Sequence, residues 1–224
     1  MTEKRTALVA GASGLVGGSL IRQLLASPTY TKVIAITRRE LDIDDPKLRQ
    51  IVIPLDDMES FLTEAIVRAD DAFCALGTTI KVAGSQAAFR KVDHDYVVAF
   101  ARAAKAAGAA RFMLVTAIGA SSASKIFYSR VKGEAEEAVA AVGFEALHIF
   151  RPGLLLGARG ERRAAESLMM KLSPLLNPLM LGAATVYRSI NAEVVAAAMV
   201  AAAGGEARGR QVHTYAEMVK LAGV

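Results

Sequence analysis

The sequence predicts an α/β fold in which a doubly wound parallel sheet carries helices on both faces. Three observations predict it. Short, continuous apolar runs alternate with stretches of helical spacing from the start of the chain to about residue 150. A glycine-rich turn joins the first apolar run to the first helical stretch. The composition, 224 residues with 53% hydrophobic, 22% charged and 18 Gly, is that of one globular domain and too apolar for a disordered chain. Unbroken apolar strands are what a sheet covered on both faces needs, and right-handed crossovers then distribute the helices to both sides.

The elements follow in order. Residues 6–10 are a short apolar strand, and residues 15–26 have helical spacing after the glycine turn. Residues 32–37 are β-branched and apolar and form a second strand, 51–53 a third and 71–76 a fourth. A long alanine-rich helix is expected over 86–107, because alanine is the best helix former and packs closely on a sheet. Residues 111–116 make a fifth strand, 124–142 a helix and 146–150 a sixth strand. From 153 to 190 the rhythm weakens into an Arg-, Leu-, Met- and Pro-rich stretch with no clean period, read as a small irregular C-terminal cap beside the strand ends. A helix over 191–203 and a last strand over 211–215 complete a single domain, residues 1–224.

Several function classes are excluded by composition. One Cys rules out a disulfide framework and a Cys-rich metal centre, and the three His sit on separate elements without ligand spacing, so no metal is expected. The apolar runs are too short, or too broken by Pro174 and Pro178, for the roughly 20 residues of a bilayer span. With one thiol and no secretory signal, a cytoplasmic location is expected. The net charge of +5 suits an anionic small ligand as well as a nucleic acid, but 6% aromatics and no Trp argue against a stacking nucleic-acid surface. A homodimer is the expected assembly on base rate alone.

Three motifs carry chemistry. Gly11, Ser13, Gly14, Leu15, Val16 and Gly17 form a G-x-x-G-x-x-G turn between strand and helix. The first glycine permits the tight turn, the second lets a pyrophosphate approach the backbone, and the third lets helix pack on strand. Free N–H groups at the helix start then favour the phosphate charge, as in a Rossmann-type dinucleotide site. Any tight βα turn also favours glycine, so context decides. Arg38 and Arg39 end the second strand, where an NAD-preferring site would carry a carboxylate for the ribose 2′-hydroxyl. Two guanidiniums suit a 2′-phosphate instead, so NADP(H) is expected over NAD(H). Asp56 and Asp57 after the third strand are candidates to border the adenine or to be plain solvated acids. Tyr128 and Lys132, at i and i+4, share a helix face and can address one ligand.

With these motifs the chain resembles the atypical short-chain dehydrogenase/reductases, and more narrowly the Tat-interacting-protein-like oxidoreductases and their bacterial NAD(P)-binding relatives. The resemblance rests on GASGLVG at 11–17, TRR at 37–39, FCALGTT at 73–79, VDHDYV at 92–97, YSRVKGEAE at 128–136 and FRPGLLL at 150–156. It implies that Ala75, Leu76 and Gly77 line the adenosine side with Thr78 and Thr79 nearby. It also implies that Leu155 borders the nicotinamide, and that Arg163, with Arg159, reaches cofactor phosphates from the cap. Tyr128 would exchange a proton with a carbonyl oxygen while hydride passes to or from the cofactor, with the Lys132 ammonium favouring the phenolate. The family usually places a Ser at the end of the fifth strand to hold the substrate oxygen. This chain has Thr116-Ala117 there, so Thr116 is the expected substitute, with Ser121 or Ser122 in the next loop as alternatives. Two functions follow: reduction of a small carbonyl substrate by NADPH, or a non-catalytic NADP(H)-binding redox sensor acting through a partner.

Overall fold

The computed structural model describes residues 4–64, 68–157 and 182–224. A seven-stranded sheet forms the centre, in the order β3-β2-β1-β4-β5-β6-β9, and every neighbouring pair in it is parallel. The strands are β1 (Arg5–Ala10), β2 (Tyr30–Thr37), β3 (Leu48–Val52), β4 (Asp71–Cys74), β5 (Arg111–Val115), β6 (Ala146–Phe150) and β9 (Gly209–His213). A two-stranded parallel pair, β7 (Leu155–Leu156) and β8 (Ile190–Asn191), lies beside it. The helices are α1 (Leu15–Ala26), α2 (Met58–Glu64), α3 (Ile80–Ala83), α4 (Gln86–Arg90), α5 (Tyr96–Ala106), α6 (Phe127–Ala140), α7 (Ala192–Gly204) and α8 (Tyr215–Ala222). This is a Rossmann-like, doubly wound sheet. Strand order reverses between β1 and β4, and the crevice there, at the carboxyl ends of the strands, is where such sheets take ligands.

Alternation along each strand builds the two cores. Leu8 and Ala10 of β1 join Phe112, Leu114, Phe100 and Val139 in the layer under α2, α5 and α6. Ala7 and Val9 join Leu20, Leu24, Phe73, Val195 and Met218 in the layer under α1, α7 and α8. Both faces are thus buried, which is why the strands read as unbroken apolar runs.

The structure departs from the expected elements in three places. The helix expected over 86–107 is interrupted: α4 and α5 are joined by a π-helical turn, Lys91–Asp95, and such turns are frequent at functional sites. The expected last strand over 211–215 ends at His213, because Thr214 and Glu217 form a capping box that starts α8 at Tyr215. The helix expected from 124 starts at Phe127. Most of the expected cap, residues 158–181, lies outside the described residues.

Two buried polar clusters tie the sheet together. At the amino ends of the strands Asp71, fully buried, accepts from Tyr30 at 2.8 Å and pairs with Arg111 at 3.0 Å and Arg5 at 3.6 Å. On the edge, His148 of β6 and His213 of β9 meet nitrogen to nitrogen at 2.9 Å with their rings stacked. One ring must accept while the other donates, so the pair requires at least one neutral partner. Burial, then the neighbouring His213 and Arg111, push His148 down to about 4, and burial pushes His213 down against the pull of Glu217. Below the ordinary histidine value of 6.5 the unfolded chain takes a proton that folded His148 refuses. The stability present above pH 6.5 therefore drains as the pH falls to about 4, by about 3 kcal/mol. Urea melts between pH 7.5 and 4.5 are expected to show this slope, and His148→Leu is expected to flatten it.

Candidate functional site

The glycine turn closes at the end of β1. Gly11 has φ +86°, a conformation that favours glycine, and its carbonyl accepts from the Gly14 N–H at 2.9 Å. The turn has no room for a side chain. A Cβ on Gly11 would lie 2.4 Å from the Ala75 carbonyl carbon and 2.7 Å from the Leu76 nitrogen, and one on Gly17 would lie 2.0 Å from the Gly11 oxygen. These contacts press the start of α1 onto the turn and the turn onto residues 75–76 beyond β4. Gly14 caps α1 and makes no side-chain hydrogen bond to the first-turn N–H groups at the strand ends. Ser13 is exposed, Leu15 half-buried and Val16 buried. Leu155 packs on the same core layer as Leu15, and a Cβ on Gly157 would touch the Leu15 side chain at 2.7 Å. The segment after β6 therefore returns over the glycine turn.

Arg38 and Arg39 stand exposed just past β2. Beside them the Thr37 hydroxyl is buried and finds no partner among the described residues. Buried hydroxyls are normally satisfied, so an orphan at this strand end fits a ligand that brings a polar atom to it. Asp56, a candidate to border the adenine, carries an exposed carboxylate past the end of β3. Its carboxylate takes Lys91 at 2.7 Å and the Tyr96 hydroxyl at 3.0 Å, and these partners, led by Lys91, hold it below the usual carboxylate range.

Tyr128 and Lys132 lie on the first two turns of α6. The Tyr128 ring packs on Phe89 of α4, 5.4 Å between centroids. Lys132 is buried, and its Nζ reaches the loop after β4, where a Cβ on Gly77 would lie 3.5 Å from it. Residues 75–77 thus touch the glycine turn on one side and Lys132 on the other. Asp93, which the sequence reading left without a role, meets Lys132 there. Its Oδ1 is 2.7 Å from Nζ, and its Oδ2 accepts from the Thr78 N–H at 2.9 Å. Burial works against the Lys132 charge, but Asp93 and the nearby Tyr128 outweigh it and hold the ammonium above its ordinary range.

Thr116 sits at the end of β5 as expected, yet its hydroxyl faces into the protein. It is buried and donates to Glu136 Oε1 at 2.7 Å, so its proton is not free for a substrate oxygen. The reason is Glu136, a fully buried carboxylate of α6 that ends the YSRVKGEAE stretch and to which the sequence assigned no role. It also takes Arg151 Nε at 2.9 Å, the Arg151 Nη2, and Arg210 Nη2 at 3.0 Å. The alternative Ser122 hydroxyl is bonded to Glu137, and the Ser121 N–H to the Ser129 carbonyl. Arg159 and Arg163 fall outside the described residues. Among the described residues no His, Cys, Asp and Glu cluster could hold a metal, and no helix is long and apolar enough to cross a membrane.

Comparison with known proteins places this geometry. A family model described as NAD(P)H-binding matches residues 11–206. The chain is 36% identical over 172 residues to protein HTATIP2 of Rattus norvegicus, covering 75% of this chain and 70% of that protein. It is 37% identical over 163 residues to the mitochondrial protein fmp52 of Emericella nidulans, covering 70% of each. Among solved structures it resembles MoeE5 in complex with UDP-glucose and NAD, with a TM-score of 0.69 at 18% identity over 97% of this chain and 80% of that one. It also resembles the Bordetella bronchiseptica enzyme WbmH in complex with NAD+, with a TM-score of 0.71 at 15% identity over 95% and 76%. At such identities these two likenesses are of fold. The fungal relatives correct the expected cytoplasmic location: several are named mitochondrial. A lone thiol argues only against a disulfide-rich, oxidising environment, and a reducing organelle meets the same condition.

Proposed function

The chain belongs to the NAD(P)H-binding family, and from that premise we propose that it is an NADP(H)-preferring oxidoreductase that transfers hydride between NADPH and a small carbonyl or alcohol substrate. The observation that carries this reading is the double contact of residues 75–77, which bring the glycine turn and Lys132 to one crevice. In this reading Gly11, Ser13, Gly14, Leu15, Val16 and Gly17 cradle the pyrophosphate with backbone N–H groups. Arg38 and Arg39 pair with the 2′-phosphate as two guanidinium forks, with the Thr37 hydroxyl beside them. Ala75, Leu76 and Gly77 wall the adenosine side, and Leu155 closes the other end over Leu15. Bound NADPH supplies the hydride. Lys132, buried and charged, binds ribose hydroxyls and presents a positive field to Tyr128. The Tyr128 phenol gives a proton to the carbonyl oxygen, or takes it back in reverse.

Titrating the protein with NADPH and NADH by fluorescence tests the first half. NADPH is expected to bind at least tenfold more tightly, and Arg38→Ala with Arg39→Ala to erase the difference, since each charge-assisted contact is worth about 1.5–3 kcal/mol. Equal affinities in the unmodified protein would refute the preference. Tyr128→Phe tests the second half: turnover of any accepted carbonyl is expected to fall by about 10²-fold or more with NADPH affinity kept. A variant that kept full turnover would end the proposed mechanism.

One observation favours a second reading. The Thr116 hydroxyl at the end of β5 is committed to Glu136 and does not serve a substrate oxygen. A non-catalytic NADP(H)-binding sensor would need no such donor. It predicts NADPH-dependent capture of a partner protein and no change in that capture on Tyr128→Phe.

A further inference from the structure

A second polar site stands apart from the crevice. The fully buried Glu136 carboxylate draws two guanidiniums to itself, Arg151 through Nε and Nη2 and Arg210 through Nη2. These bonds leave Arg151 Nη1 and Arg210 Nε and Nη1 without an acceptor among the described residues. The two arginine side chains are 24% and 42% exposed, against 1% for Glu136. Two positive charges thus meet one buried negative charge, and both arginines line a cavity of about 360 Å³. Ser121, Ser122 and Glu137 add to its polar wall. None of its lining residues belongs to the glycine turn, to residues 75–77 or to the Tyr128–Lys132 pair.

The walls are fixed by packing. A Cβ on Gly133 would lie 2.2 Å from the Ser121 carbonyl carbon and from the Ser122 nitrogen, so the loop after β5 rests directly on α6. The Ser121 N–H donates to the Ser129 carbonyl at 3.0 Å, and the Ser122 hydroxyl bonds Glu137. A guanidinium held along one edge by a carboxylate keeps its plane and offers its other N–H groups at little entropy cost. We propose that Arg151 and Arg210 form a binding site for a compact dianionic oxyanion, a phosphate group or a short dicarboxylate, separate from the cofactor crevice. Ligand pockets start at about 300 Å³, so the cavity has the size for one such group. Glu137 is exposed, and its charge opposes an anion through screening solvent. The expected dissociation constant is therefore modest, about 1 mM. The proposal does not rest on the cofactor reading.

The test is isothermal titration with inorganic phosphate and, separately, with malonate, at mildly alkaline pH where both are dianions. The unmodified protein is expected to bind at least one of them, and the tighter of the two tells whether the group recognised is a phosphate or a dicarboxylate. Arg210→Gln is expected to weaken that binding by at least about tenfold, the worth of one lost charge-assisted contact. Glu137→Gln keeps an acceptor for the Ser122 hydroxyl and removes the opposing charge, so it is expected to bind about two- to fivefold more tightly. No binding of either anion by the unmodified protein would overturn the proposal, as would unmodified affinity in Arg210→Gln.

Arg210 also helps to hold Glu136, so a second variant guards against loss of the fold. Ser121→Asp sets a carboxylate on an exposed lining position and leaves the arginines in place. It is expected to weaken anion binding by at least about tenfold, since like charges at close range repel. Unmodified affinity there would overturn the site. Gly17→Ala separates this from the functional reading, because an anion could also sit on the glycine turn. Phosphate or malonate binding is expected to survive in that variant. Its loss there, with Arg210→Gln unaffected, would assign the anion to the turn and overturn the proposal. Failure of the unmodified protein to bind NADPH or NADH would overturn the cofactor reading alone.

Discussion

Gly17→Ala is expected to abolish dinucleotide binding, with a loss of affinity of at least about 10²-fold, and to lower stability by about 1–3 kcal/mol as an overpacked core does. The added Cβ meets only backbone: the Gly11 oxygen at 2.0 Å, the Gly11 carbonyl carbon at 2.7 Å and the Ala12 Cα at 2.9 Å. No side chain can rotate away, so α1 must back off from the turn. That moves the N–H groups proposed to face the pyrophosphate, and a displacement of even 1 Å is enough to lose oriented contacts. The neighbouring Gly18 provides the control. Its nearest heavy atoms lie at 3.7 and 3.9 Å, ordinary contact, so Gly18→Ala is expected to bind NADPH normally and to melt no lower. Isothermal titration and thermal melts of the two variants check both statements. A Gly17→Ala protein with unmodified affinity would mean that the turn holds no phosphate.

Glu136→Ala is expected to destabilise the protein by about 3 kcal/mol, the lower end for breaking a buried ion pair because its arginines are partly solvated. One fully buried carboxylate takes Arg151 twice, Arg210 once and the Thr116 hydroxyl once. Removing it leaves two guanidiniums and a buried hydroxyl with no acceptor. It also frees α6 from β5, β6 and β9, the strands whose ends carry these partners. Because Tyr128 and Lys132 ride on α6, cofactor affinity is expected to fall along with stability. Urea melts and NADPH titration of the variant measure the two effects. If Thr116→Val restored part of the lost stability in the Glu136→Ala background, the stranded hydroxyl would be identified as one source of the loss.

Much of the site was legible because its signals are local. The glycines of 11–17 are dictated by a turn between adjacent elements, and the structure shows the backbone contacts that exclude a side chain at Gly11 and Gly17. Tyr128 and Lys132 are one helical turn apart, and Arg38 and Arg39 follow directly on a strand. Asp93 and Glu136 were not legible. Each looks like an ordinary polar position on a helix, and each acquires meaning only from partners far along the chain: Lys132 for Asp93, and Thr116, Arg151 and Arg210 for Glu136. The π-helical turn was hidden for a related reason. Residues 86–107 have helical spacing throughout, and the extra residue in one turn leaves no compositional mark.

The residue order alone determined the alternation of strand and helix, the parallel sheet covered on both faces and the glycine turn that admits no side chain. Those depend on hydrophobic periodicity and on steric limits at single glycines, which act between neighbours in the chain. The tertiary structure alone decided which way the polar side chains face. It turned the Thr116 hydroxyl away from the crevice toward Glu136, and it set Asp93 against Lys132. A buried charge or hydroxyl goes to whichever partner spares it desolvation, and that partner exists only once the sheet and helices have assembled.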